Sequence, residues 1–412
     1  MNKIRLIDTF LDLVRIDSPS GYEAAVAAYC KHALEAAGCS VTFDESAAQT
    51  GSDVGNLIAT LPGTVPGRLY FSAHMDCVEP CCGVKPVIRD GVVYSDGSTV
   101  LGGDDKVGIA AIIEMVRCLT DAQGESSAAG DCVDQGIANE THHNEARPNE
   151  IHPNETHPNE AHPSEAHSGY PEIKIILSVQ EERGLLGAKA FDVSEFDGEF
   201  CYVLDAAGSP GLVVNGAPYQ QSYKATFTGV AAHAGIEPEA GASAIVAAAR
   251  AIVALPQGRL NERTTANVGT IAGGQARNIV AENCEIVGEF RSHDLDSLLE
   301  VREQINAALL AACEERVQVK IDWQTDYQGF YVSEDAPVVK LALESALALG
   351  LDASCEISGG GADTNIYAAG GLAAVSLASG MKKIHSTNEQ LPIKDLEALT
   401  ALILQIAYNF SA

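Results

Sequence analysis

The chain has 412 residues, 46% of them apolar, enough for two or three domains with a sizeable buried core. Its formal net charge of −30 repels nucleic acid and anionic membrane surfaces, which excludes both as partners. No apolar run approaches the roughly 20 residues that span a bilayer.

The N-terminal stretch "MNKIRLIDTFLDLVRIDSPSG" sets Ile4, Ile7, Leu11 and Val14 at helical spacing between charges. That pattern is an amphipathic helix, not a signal or transit peptide. A second helix, from about Glu23 to Ala37, ends at Gly38, a residue that closes helices well. "RLYFSAHMD" is a short apolar run ending in polar residues, which predicts a buried strand. "VGIAAIIEMVRCL" reads as a helix opened by "LGGDD", and "EIKIILSVQEE" and "FCYVLDAAG" as two more buried strands. Strands alternating with helices predict an α/β domain with a mostly parallel sheet covered on both faces.

Between that helix and the next strand lies a low-complexity insert, about residues 121–169. Six of the 11 histidines fall between His142 and His167, in a repeat of roughly x-His-Pro-Asn-Glu. Proline every fifth residue blocks both helix and sheet. The insert is expected to be a disordered loop leaving from the face opposite the active site. Its histidines leave weak zinc binding open as a storage role. The 11 cysteines, an odd number with no C-x-x-C pair, predict reduced thiols in a reducing compartment, and the expected location is the cytoplasm. Cys77, Cys81 and Cys82 cluster, and read as free thiols rather than a soft metal site.

From about Gly216 to Tyr327 the texture changes. "QSYKATFTG", "TANVGTI", "CEIVGEFRS" and "VQVKIDW" predict strands. "ASAIVAAARAIVAL" and "DSLLEVREQINAALLAACEE" predict helices between them. The order β-α-β-β-α-β is the split βαβ pattern of a two-layer α+β domain. The α/β texture then resumes with the helix "APVVKLALESALALG" and the strand "LAAVSL". A small domain is therefore inserted into a larger one: 1–215 and 328–412 form the large domain, and 216–327 the small one.

Sites in open α/β sheets form at the carboxyl ends of strands. His74 and Asp76 follow "LYFSA", Glu181 and Glu182 follow "IKIILSVQ", and Asp205 follows "CYVL". His385 follows "AAVSL" after a short loop, and Asp104 and Asp105 stand where a helix opens. Each has a plain reading alone, as a loop residue or a helix cap. Together they put imidazole and carboxylate donors on one sheet edge, a set suited to Zn²⁺ and also to Mn²⁺ or Co²⁺. One shared Asp would allow two ions about 3.5–4 Å apart. No G-x-S-x-G, H-E-x-x-H, P-loop or dinucleotide fingerprint is present. The glycines of "SGGGADTN" suit close approach of backbone to a ligand.

Several stretches carry a family resemblance: "SAHMDCV", "LGGDDKVGIAAI", "SVQEERGLLGAK", "VLDAAG", "GVAAHAGIEPEAGASAI", "NVGTIAGGQARNIV" and "GGGADTNIYAAGG…KKIHSTNE". They run along nearly the whole chain outside the insert. The chain resembles the di-zinc aminopeptidase/carboxypeptidase/aminoacylase superfamily, and within it the peptidase T-like branch. The resemblance implies a zinc-peptidase-like catalytic domain plus an inserted ferredoxin-like lid and dimerisation domain. It implies two Zn²⁺ per subunit, with Mn²⁺ or Co²⁺ able to substitute. His74 and Asp205 would hold one ion, Glu182 and His385 the other, and Asp104 both. Asp76 would orient the His74 imidazole, and Glu181 would be the general base toward a metal-bridging water.

The resemblance also implies that His233, in "AAHAG", contacts the substrate carbonyl, in many members across a homodimer interface. Arg291, Asn267 and Asn278 are candidates for the substrate's carboxylate or backbone. The expected function is hydrolysis of short peptides, as a tripeptide aminopeptidase. An N-acyl amino acid deacylase or a carboxypeptidase of the same superfamily is the rival of equal chemistry. A non-catalytic zinc-binding protein is the rival of another class, against which the intact Glu181 argues.

Overall fold

The computed structural model describes residues 1–130 and 169–410. The His/Pro/Asn/Glu repeats, and the expected disorder of that segment, lie outside the described residues. The helix preceding them runs Gly103–Gly130, so helical backbone continues past the expected start of the insert at 121.

The chain lays down strands β1 (Ser40–Phe43), β2 (Leu57–Leu61), β3 (Arg68–His74), β4 (Glu172–Ser178), β5 (Phe200–Ala206) and β6 (Leu212–Ala217). It then crosses to a second sheet through β7 (Tyr219–Thr228), β8 (Gly258–Asn261), β9 (Thr264–Gly273), β10 (Asn283–Ser292) and β11 (Gln318–Tyr327). It returns with β12 (Phe330–Tyr331), β13 (Ser354–Ile357) and β14 (Ala373–Ala378).

The first sheet has the order β1-β2-β4-β3-β5-β14-β6-β12, with β13 also on β6. Its centre, β4-β3-β5-β14, is parallel throughout. The flanking pairs β1–β2, β2–β4, β14–β6 and β12–β6 are antiparallel. The apolar runs produce this centre. In β3 every residue from Leu69 to His74 is buried, as a strand covered on both faces requires.

Helix Gly103–Gly130 lies against β3, with helices Lys3–Arg15 and Ile393–Asn409 beside it. All its residues from Val107 to Val116 are buried, apolar on every side except Glu114, which pairs with Arg5 at 2.8 Å, because the helix is surrounded. Helix Lys3–Arg15 buries Leu6, Phe10, Leu13 and Val14, while Ile4 is exposed. Of the expected stripe Ile4-Ile7-Leu11-Val14, Val14 is buried, Leu11 packs against the core, Ile7 is half-buried and Ile4 faces out, while Leu6, Phe10 and Leu13 complete the buried face. Both sets fit a 3.6-residue period, and packing decides how far each is covered.

The second sheet has the order β8-β9-β10-β7-β11 and is antiparallel throughout. Helices Ala244–Ala254 and Leu295–Ala311 pack on it around Phe227, Ile286, Phe290 and Ile305. The four expected strands take the ferredoxin-like arrangement, and β8 adds a short edge that the pattern did not reveal. A three-stranded sheet of Val87–Arg89, Val92–Tyr94 and Gln390–Pro392 was also not foreseen. Its strands are three residues long, too short for an alternation to register. Among the described residues no helix is long and apolar enough to cross a membrane.

Candidate metal centre and substrate cleft

The carboxyl ends of β3, β4, β5 and β14 converge on one edge, because the strands are parallel and adjacent. His74 is the last residue of β3, Asp205 the penultimate residue of β5, and Glu181 and Glu182 open a short turn after β4. Gln180 before that turn and His385 in its loop both have left-handed backbone, at φ 51° and 59°. Such strain in non-glycine residues persists where the surroundings fix it.

Among the described residues, potential ligand atoms fall into three groups, each within 4.8 Å: His74 with Asp104 and Asp205, Asp104 with Glu182 and His385, and His74 with Glu181 and Glu182. Asp104 belongs to the first two. One of its carboxylate oxygens lies 3.1 Å from His74 Nε2, and the other 3.2 Å from His385 Nε2. Glu182 Oε1 lies 3.0 Å from the same His385 nitrogen.

Asp76 organises the neighbourhood. Its backbone carbonyl accepts from His74 Nδ1 at 2.9 Å, while its carboxylate stands 3.4 Å from that nitrogen. This leaves Nε2 as the free ligand atom of His74. The carboxylate accepts the Glu181 N–H at 2.9 Å, the Glu182 N–H at 3.3 Å and the Ser20 hydroxyl at 2.6 Å. Burial opposes this charge, but the bonds from His74, Ser20 and Glu181 hold the Asp76 pKa below the usual range. Glu389 does similar work on the other side. Its carboxylate accepts the N–H groups of Gly102 at 2.9 Å and Asp104 at 3.1 Å. Glu389 was not singled out in the sequence, because its partners lie 285 or more residues away.

The electrostatics fit divalent cations. Burial, then repulsion from Asp104 and Glu181, pushes the Asp205 carboxyl well above its ordinary range. Burial, and the charges of Asp363, Glu182 and Asp104, does the same to Glu181. The bonds from Asp104 and Glu182 raise His385 to about 10, against the effect of burial. Packed carboxylates that resist ionising together are relieved by cations among them. The nitrogen and carboxylate donors suit zinc, manganese or cobalt.

A cleft of about 670 Å³ opens from this edge toward the second sheet. Asp104, Glu181, Glu182, Asp205 and His385 form one end, and Arg291, Tyr327 and the Gly-rich loop 358–362 form the other. Arg291 is partly committed, since its Nε and Nη2 lie 2.9 and 2.8 Å from Glu289 Oε2. Asn267 on β9, and His233 and Asn278 in loops of the same domain, are exposed and do not line the cleft of their own chain. His233 Nδ1 accepts the Gly235 N–H at 3.2 Å.

The family profile of the M20 peptidase dimerisation domain matches residues 219–317. A tripeptidase from Staphylococcus aureus superposes with a TM-score of 0.84 and 35% identity, covering 99% of this chain and 98% of its own. The chain belongs to the M20 peptidase family. It is therefore a hydrolase of peptide bonds. An aminopeptidase PepT from Bacillus cereus superposes on this M20 peptidase with a TM-score of 0.81 and 33% identity, covering 99% and 98%. An uncharacterised Bacillus subtilis protein, YqjE, is 35% identical over 408 residues, 98% of each chain.

Proposed function

We propose that this M20 peptidase is a two-metal aminopeptidase that removes the first residue of short peptides, tripeptides foremost. The sharing of Asp104 between the His74/Asp205 and Glu182/His385 groups carries the reading. The tripeptidase and aminopeptidase relatives support its substrate class. His74 and Asp205 would hold one ion, Glu182 and His385 the other, with Asp104 between. Zinc there, or manganese or cobalt, would supply Lewis acidity toward the scissile carbonyl and lower the pKa of water.

The chain's own groups handle protons and position. Glu181 takes a proton from the attacking water as its oxygen bonds to the carbonyl carbon. It returns that proton to the leaving amine as the C–N bond breaks. Asp76 fixes the base by holding the N–H groups of both Glu181 and Glu182. Arg291 faces the cleft with a charge suited to a peptide carboxylate.

The match to a dimerisation domain supports a homodimer through the 216–327 lid, seated in the large domain formed by 1–215 and 328–412. Exposed Val253, Ile236 and Ile271 give the lid apolar surface to bury. In such a dimer His233 would serve the cleft of the second copy. His233→Ala should then lower kcat by roughly 10²–10³, as loss of an oxyanion donor does, with KM changed only a few-fold. An unchanged kcat would return His233 to a plain loop role. The free cysteines among the described residues support a reducing compartment such as the cytoplasm.

A panel of free, N-acetylated and C-amidated di- and tripeptides, assayed with added Zn²⁺, Mn²⁺ or Co²⁺, tests the substrate class. Free tripeptides should be cleaved first, C-amidated ones tolerated and N-acetylated ones refused. Preference for N-acyl amino acids would make the enzyme a deacylase, and release of C-terminal residues from blocked peptides a carboxypeptidase.

A further inference from the structure

The chain passes between its two sheets twice. On the way out, β6 ends at Ala217 and β7 begins at Tyr219, leaving Pro218 alone between them. On the way back, β11 ends at Tyr327 and β12 begins at Phe330, leaving Gln328 and Gly329. These crossings are where a lid would swing, because hinge motion concentrates in a few residues at element ends.

One side chain holds both. Asn365 Nδ2 donates to the Pro218 carbonyl at 3.3 Å and to the Gln328 carbonyl at 2.7 Å. Its Oδ1 accepts the Ala362 N–H at 3.1 Å. Asn365 is 1% exposed, so its carboxamide exchanges every polar atom with backbone, away from bulk water. An amide has two N–H donors, one for each crossing. Aspartate has the same shape but no donor, and would set a carboxylate against two carbonyl oxygens.

The segment carrying Asn365 also reads the lid and lines the cleft. His293, just past the end of β10, donates from Nε2 to the Ser358 carbonyl at 2.7 Å. Gly361 lies so close to the Tyr327 ring that a Cβ there would sit 2.3 Å from it. Ser358, the three glycines, Ala362 and Asn365 all face the cleft that holds Glu181 and Asp104. A change of lid angle at Pro218 or Gln328 therefore pulls on the wall of the cleft.

We propose that Asn365 is a hinge-pin positioning residue. It keeps both crossings in register with the 358–365 segment, so that lid angle and cleft geometry move as one. It touches no reacting atom and acts through the backbone it holds. The proposal adds to the peptidase reading, and only its kinetic arm rests on that reading.

The test uses the full chain, metal-loaded, as wild type, Asn365→Ala and Asn365→Asp. Hydrogen exchange by mass spectrometry is read in peptides covering the crossings (215–222 and 325–332), the helix 363–369 and the central strand 68–74. Losing two hydrogen bonds should speed exchange at both crossings roughly tenfold, since local opening is governed by local contacts. Exchange in the central strand should stay at the wild-type rate in both variants, exchange in the helix should stay there in Asn365→Asp, which keeps an acceptor for the Ala362 N–H, and metal content should not change. On a tripeptide, kcat should fall at least tenfold with a smaller change in KM.

Unchanged exchange at the crossings overturns the proposal. So does exchange in Asn365→Asp that rises equally along 363–369, which would make Asn365 a helix cap only. Kinetics within twofold of wild type, despite looser crossings, overturn the coupling as well. Should Asn365→Ala fail to fold, Asn365→Asp decides by the same readings. A wild type inactive on every tripeptide would sink the tripeptide reading, and the exchange arm would still decide this one.

Discussion

Glu181→Gln is expected to keep the metal content of the wild type while kcat falls by roughly 10²–10⁴, the usual worth of a general base. The two side chains have the same size, and the Glu181 N–H remains bonded to Asp76 through the backbone. What disappears is the ability to take and return a proton. The neighbour should behave differently. Glu182 bonds to His385 at 3.0 Å and shares a group with Asp104, so Glu182→Gln should weaken metal binding, and excess metal should restore activity. Metal analysis by mass spectrometry beside steady-state kinetics separates the two. If the phenotypes came out exchanged, the roles within the pair would be reversed.

These two adjacent acids illustrate what a sequence discloses. Glu181 and Glu182 stand out because a largely apolar run, Ile173 to Val179, ends just before them, and the same local contrast marks His74 and Asp205. Local contrast also set the two-sheet architecture, since four apolar runs became the parallel centre and four alternating ones became the lid sheet. Glu389, His293 and Asn365 carry no such mark. Each is an ordinary polar residue whose partner lies far along the chain: 285 residues for Glu389 and Asp104, 65 for His293 and Ser358, 147 for Asn365 and Pro218. Their roles come from pairings that only the folded chain creates. Asn267 and Asn278 show the opposite case: polar residues in a family-like stretch are candidates for substrate contact, and the strand and turn that carry them leave both exposed and, like His233, outside the cleft of their own chain.

The lid and the metal edge also differ in how charge is treated. At the metal edge, buried carboxylates are packed closely enough to oppose one another's ionisation. At the lid end, Arg291 is matched by Glu289 on the same strand. A paired arginine costs less to keep beside a cleft than a bare one, and its remaining N–H donors stay available for a ligand. The metal edge has no such internal match, since its two histidines are already shared among Asp104, Asp76 and Glu182. Bound cations would supply that balance.

That imbalance gives the largest expected loss. Asp104→Ala removes the carboxylate common to both groups, so both metals should be lost together and activity should fall to background. Removing a ligand of one site alone, as in Asp205→Ala, should spare the second site. Stability supplies an independent reading. A metal that binds only the folded chain stabilises it by about 2.7 kcal/mol at a free concentration of 100 Kd. Chelation should therefore lower the melting temperature of the wild type. The same treatment should leave Asp104→Ala unmoved, because nothing is bound to remove. The substitution also frees His74 and His385 from their shared partner, at 3.1 and 3.2 Å, so both imidazoles lose the group that aims them. Added zinc should then fail to raise the melting temperature of the variant at concentrations that saturate the wild type. Two metal equivalents retained by purified Asp104→Ala would show that the ions do not share this residue, and the two-metal assignment would have to be rebuilt around another carboxylate.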